Sequence, residues 1–127
     1  MQLADILYVA AGSAVGGVCR YLLSGRMNGA GGFPYGTLAV NVIGALIIGF
    51  LSGLLAHYSG NSSALRSFAV VGFCGGFTTF STFSNETFRM LENAQYAAAA
   101  AYVLISVAAG LAAVWMGYKF CVLGSKF

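Results

Sequence analysis

The chain has 127 residues, 59% of them hydrophobic and only 7% charged, with mean hydropathy +0.83 and a formal net charge of +3. A soluble domain carries about 25% charged residues to keep its surface in water, so this composition excludes one and requires a membrane. The six basic residues are scattered, which excludes a nucleic-acid face built on clustered phosphate contacts. At roughly 20 residues per span, four helices with tight connections use nearly the whole length. Residues 1–127 therefore read as a single four-helix transmembrane domain.

The first apolar segment runs from about Leu3 to Leu23, with Arg20 near its far end. It lacks a basic leader and is too long for a signal core, so it reads as a retained helix. Ser24–Tyr35 is expected to be a loop, because Gly25, Asn28, Gly29, Gly31, Gly32 and the only proline, Pro34, are turn and breaker residues. The second segment spans roughly Gly36 to Ala56, and His57–Ala64 is a polar turn. The third reaches from about Leu65 to Leu91, interrupted by a glycine cluster. The fourth covers about Gln95 to Leu123, closing on Lys119 and Lys126.

Small residues recur four apart at Gly12/Gly16, Gly49/Gly53 and Gly72/Gly76. Such pairs let helix backbones approach closely in lipid, which argues for a compact bundle and an oligomer. With four spans, Arg66, Lys119 and Lys126 share one side while Arg20, Arg26 and Arg89 share the other. Orientation normally follows an excess of Lys and Arg on the cytoplasmic side. Here the count is balanced, a pattern expected of a chain that inserts both ways round.

Cys19, Cys74 and Cys121 are far apart inside apolar segments, without the close pairs of zinc or redox motifs, and read as small packing residues. His57 stands alone near a helix end. No Ser–His–acid set or carboxylate pair presents itself, so the sequence points away from an enzyme.

The most informative stretch is Gly72-Phe73-Cys74-Gly75-Gly76-Phe77-Thr78-Thr79-Phe80-Ser81-Thr82-Phe83-Ser84. Lipid supplies no hydrogen bonds, so backbone this rich in glycine and hydroxyls belongs where it lines a cavity or packs on protein. Phe80 and Phe83 share a helix face, and Phe77 is expected to extend their row. A phenyl ring has a positive edge, so edge-on rings can touch an anion without trapping it. Interleaved Thr78, Thr79, Ser81, Thr82 and Ser84 offer hydroxyl donors, although back-bonding to the preceding turn also uses such groups. Thr37, Asn41 and Gly44 fall on one face of the second segment. An amide at that depth faces the bundle interior, either in a structural hydrogen bond or in a pathway. Arg20 and Glu86 are the charged residues nearest segment interiors. They are read either as snorkelling to the interface or as a pore-mouth cation and an exit carboxylate.

Three stretches carry a family likeness: Gly12-Ser13-Ala14-Val15-Gly16-Gly17-Val18-Cys19-Arg20-Tyr21, Gly36-Thr37-Leu38-Ala39-Val40-Asn41, and the run from Gly72 to Ser84. Together they resemble the signatures of the Fluc (CrcB) fluoride channels, over the whole chain and in the same order. The resemblance implies an all-α membrane protein of four transmembrane helices with a break in the third, assembled as an antiparallel, dual-topology homodimer. It implies two pores that passively export fluoride across the bacterial cytoplasmic (inner) membrane and lower its toxicity. A structural sodium ion at the dimer centre is implied on the backbone carbonyls of Gly75 and Thr78. Phe80 and Phe83 are implied as pore-lining, Asn41 as pore-facing and Arg20 as a vestibule residue. Ser81, Thr82, Tyr102 and Ser106 are implied in a polar track, with Glu86 near the pore; Thr37 joins the expected pathway through the helix face it shares with Asn41. Fluoride, a second copy of the chain and membrane lipid are the implied partners. A small drug/proton antiporter would need a carboxylate deep in the first segment, where only Asp5 stands, at its start. A non-transporting scaffold would not call for the hydroxyl–phenylalanine cluster.

Overall fold

A computed structural model describes residues 2–29, 32–57 and 62–124. Gly31 of the first loop, positions 58–61 of the polar turn and Lys126 of the charge balance lie outside the described residues. Helix is the only regular structure among them. Three helices are long and apolar enough to cross a membrane: α1 (Leu3–Met27), α2 (Tyr35–His57) and a final helix, Tyr96–Gly124. Their 25, 23 and 29 residues rise about 1.5 Å each, enough for a hydrocarbon layer of about 30 Å. The chain is a multi-pass membrane protein.

Between α2 and the final helix the chain forms two shorter rods. The first, α3, joins Ser63–Leu65, Arg66–Cys74 and Gly75–Phe77 end to end, with wider π-type turns in its middle piece. The second, α4 (Phe80–Glu92), starts after Thr78 and Thr79, whose backbones are extended. The interruption thus falls just after the glycine cluster rather than at it, because Gly75 and Gly76 keep helical geometry and the two threonines do not. Ala94, in the left-handed region at φ 56°, turns the chain into α5 (Tyr96–Gly124).

Several boundaries differ from the sequence reading, and Tyr35 and His57, expected in connections, belong to α2. Ser24–Met27 continues α1 instead of opening the loop, and the Asn28 amide still pairs with the Ser24 carbonyl at 2.8 Å. Gly25 costs a helix about 1 kcal/mol, too little to stop one already long and packed. Ser63 and Ala64 likewise belong to α3, where the Ser62 hydroxyl accepts the Leu65 amide as an N-cap.

α1 packs chiefly on α3, and α2 chiefly on α5. The glycine pairs make both contacts possible. A Cβ at Gly16 would collide with the Phe73 carbonyl oxygen, and one at Gly49 with that of Val114. Gly12, Gly53, Gly72 and Gly76 meet neighbours within the chain in the same way. The small-residue pairs are therefore spent inside the protomer and do not argue for an oligomer. Gly49→Ala should push α2 off α5 and cost about 1–3 kcal/mol, read as a lower unfolding temperature in detergent. An unchanged midpoint would contradict this packing.

Candidate ion pathway

The α3–α4 break is built by side chains as much as by the backbone. The Asn41 amide on α2 donates to the Thr79 carbonyl at 3.1 Å, and the Thr79 N–H donates back to Asn41 Oδ1 at 2.8 Å. Gly44, one turn further, faces Thr78 so closely that a Cβ would meet its methyl group. Thr79 Oγ1 accepts the Thr82 amide at 3.2 Å, capping α4. In an unbroken helix those two amides would pair with the carbonyls of Gly75 and Thr78. Both are redirected, so Gly75 and Thr78 lose their ladder donors. The Gly76 carbonyl, freed by the same break, accepts from Arg20 Nε at 3.0 Å. Arg20 is thus tied to the break rather than snorkelling.

Phe80 opens α4 with 80% of its surface exposed, and its ring centroid lies 5.9 Å from that of half-buried Phe83 at 41°. Phe77 does not extend this row. It is buried on the α3 side of the break, stacked on Phe73 with centroids 5.5 Å apart, because the two extended threonines interrupt the helical phase. Thr78 and Ser84 back-bond to the carbonyls of Cys74 and Phe80 at 2.8 and 2.9 Å. Thr79 Oγ1 reaches Thr82 Oγ1 at 3.0 Å and exposed Ser81 Oγ at 3.5 Å. Back-bonding therefore explains two of the five hydroxyls, and the other three gather at the α4 N-terminus.

Glu86, one turn beyond Phe83, is the hub of a second cluster. Its carboxylate accepts from Thr37 Oγ1 and from the Tyr102 hydroxyl, each at 2.7 Å. Asn28 donates to Thr37 Oγ1 at 3.2 Å and stands 3.5 Å from Glu86 Oε1, while its own Oδ1 accepts the Gly36 amide at 2.6 Å. A carboxylate at this depth is tolerable because it is hydrogen-bonded on both oxygens. Tyr102 is fully buried, with its ring 5.0 Å from Phe83. Ser106, one turn along α5, has a buried Oγ without a partner among the described residues. Sequence reasoning missed Asn28, which looks like one more loop breaker. Only the fold reveals it as the pin between α1, the start of α2 and Glu86.

These groups border two separate spaces. A groove of about 450 Å³ is walled by Asn41, Gly44, Gly75, Thr78, Thr79, Phe80, Phe83 and Ser106. Beyond the Phe83–Tyr102–Glu86 contacts, a hollow of about 300 Å³ opens between Asn28, Glu86, Arg89 and Gln95. The wall of the groove is mostly apolar, with Ala45, Ile48, Val70, Cys74, Val107 and Val114 in it. The hydroxyls, the Asn41 amide and the ring edges are set into that wall, which suits a small anion that must be desolvated yet released. Among the described residues no three His, Cys, Asp or Glu side chains cluster as metal ligands. A cation here would rest on backbone oxygens.

Comparison with known proteins matches this picture. Residues 7–118 fit the family described as CrcB-like protein, Camphor Resistance (CrcB). A protein of Nitrobacter hamburgensis named fluoride-specific ion channel FluC 1 is 45% identical over 122 residues, covering 94% of this chain and 96% of its own. Fluoride-specific ion channel FluC of Geobacter sulfurreducens is 49% identical over 114 residues, 88% of this chain and 92% of its own. The FluC of Trichlorobacter lovleyi is 51% identical over 106 residues, 82% and 85% of the two chains. These relatives are named as ion channels and not as enzymes. On the fit across residues 7–118 and these identities, the chain belongs to the CrcB family.

Proposed function

We propose that the protein is a fluoride-selective channel that passively exports fluoride across the bacterial cytoplasmic membrane and so lowers its toxicity inside the cell. The observation that carries this reading is the groove at the helix break, where Asn41, Phe80, Phe83 and the unpartnered Ser106 hydroxyl meet. Fluoride is small and strongly hydrated, so a route for it must replace water by donors. Ser106, the Ser81 and Thr82 hydroxyls and the phenylalanine edges supply these without a full positive charge to trap the ion. Thr37, Tyr102 and Glu86 carry the route onward to the outer hollow, and Arg20 adds positive potential beside the break.

The functional unit in this reading is an antiparallel homodimer with two pores, each protomer contributing four membrane-crossing segments as one domain, the third broken. Gly75, Phe80, Ser81 and Ser84 are exposed on one protomer, at a depth where lipid satisfies no backbone or hydroxyl group. A second copy inserted the other way round covers them. The balanced basic residues support that dual topology. A cysteine tag on the C-terminal tail should label from both sides of whole cells, and labelling from one side alone would end the dual-topology claim.

The Gly75 and Thr78 carbonyls fit a sodium ion at the dimer centre. Both have lost their helical donors, and nothing lies within 4 Å of where a Gly75 side chain would begin. Two protomers would present four such oxygens, a hard-oxygen set of the kind such cations prefer. The ion would staple the two breaks together and raise the positive potential around the pores.

Proteoliposomes loaded with fluoride should release it passively, with little chloride flux and no need for a proton gradient. Equal chloride flux would reject selectivity, and strict dependence on a proton gradient would mark a coupled carrier instead.

A further inference from the structure

A cavity of about 600 Å³ lies at the opposite end of the protomer from Glu86, between the last turns of α2 and the first turns of α3. Ser52 walls it from α2, and Ser62, Ser63, Arg66 and Ser67 from α3. Val70 belongs to its wall and also to that of the groove holding Phe80 and Ser106. The two spaces are therefore neighbours along one α2–α3 furrow. We propose that this cavity is an anion-collecting mouth that feeds the groove, with Arg66 as its attracting charge.

Hydrogen bonding decides which groups are available. The Ser63 and Ser67 hydroxyls face Asp5 on α1 and are taken by its carboxylate, the latter at 3.3 Å. That carboxylate is not itself in the cavity wall but lies one hydrogen bond behind it, its charge engaged by these two serines. Ser62 Oγ accepts the Leu65 amide at 3.2 Å, which leaves its O–H free to donate. No ion pair or hydrogen bond holds the exposed Arg66 guanidinium among the described residues. The mouth thus offers one full positive charge and the Ser52 and Ser62 hydroxyls. A charge so placed raises local anion concentration without forming a closed, deep well. Sequence hides this, because Ser52 looks like one more small residue of an apolar span and Ser62 like an ordinary residue of the polar turn. The chemistry fits any small inorganic anion. Fluoride is the one that matters if the channel reading holds, and the second arm of the test rests on that reading.

The first arm needs no conduction. Ser52→Cys protein in detergent is treated with a negatively and a positively charged methanethiosulfonate at low ionic strength, with protein lacking the substitution as background for Cys19, Cys74 and Cys121. With each rate divided by that of the same reagent with free cysteine, the anionic reagent should be favoured at least about fivefold, the effect of one unit charge about 4 Å away in water, and adding Arg66→Gln should erase the preference. No preference, or one that survives Arg66→Gln, overturns the proposal. The second arm measures fluoride efflux. Arg66→Gln should slow it about fivefold at low ionic strength and less than about twofold near 1 M, where the screening length is about 3 Å. Arg66→Lys should stay near the wild-type rate. An equal loss at both ionic strengths would mean that Arg66 is structural and would also overturn the proposal. If the wild type passes no fluoride, the channel reading fails on its own, and the reagent arm still decides whether this cavity collects anions.

Discussion

Fluoride efflux should collapse in Phe80→Met and in Phe83→Leu while the protein still runs as the same species on size exclusion. Both changes keep apolar volume and should cost less than about 1.5 kcal/mol of stability. Phe80 in particular has little to lose within the protomer, being 80% exposed. A ring that merely packs would therefore be replaceable. A ring whose edge meets the ion is not, because methionine and leucine lack its quadrupole. An ion contact worth about 2 kcal/mol in the rate-limiting step corresponds to roughly a thirtyfold change in rate. Wild-type efflux from both variants would return the pair to packing and leave the groove without its aromatic contacts.

Asn41→Asp should be as damaging for a different reason. Asn41 holds the break from both sides, donating to the Thr79 carbonyl and accepting from its amide. Aspartate keeps the acceptor, loses the donor and sets a carboxylate against the Thr79 carbonyl and the passing anion. Two like charges about 4 Å apart at an effective dielectric near 20 repel by about 4 kcal/mol, enough for a loss of at least about a hundredfold in flux. Asn41→Ala separates the two roles. It adds no charge but leaves the Thr79 main-chain groups unpaired, at about 1–3 kcal/mol of stability. Efflux near the wild-type rate in Asn41→Asp would show that the ion does not pass this amide.

Three of the four expected spans were legible because runs of about 20 apolar residues have few alternatives. The break was legible because hydroxyls and glycines crowd the middle of one such run. Its placement was not, since it depends on Asn41 reaching across from α2 to take the Thr79 main chain, a contact between residues 38 positions apart. The same contact explains why Phe77 stacks on Phe73 instead of joining Phe80, as a two-residue extension resets the helical phase that sequence periodicity assumes. Asn28 was illegible for want of any local signal, and its role appears only when the α1–α2 loop folds over Glu86. Tyr102 and Ser106, drawn from a helix without a distinctive motif, came from family resemblance. In the structure Tyr102 reaches Glu86 and Ser106 lines the groove with its hydroxyl unpaired.

The central claim is that an anion crosses this protein selectively and without coupling. Current recorded from purified protein in a planar bilayer, with opposed gradients of fluoride and chloride and varied pH, tests it most directly. The account predicts a current whose reversal potential follows the fluoride gradient alone. A reversal potential that follows chloride or protons, or a fluoride flux that carries no current, would contradict it.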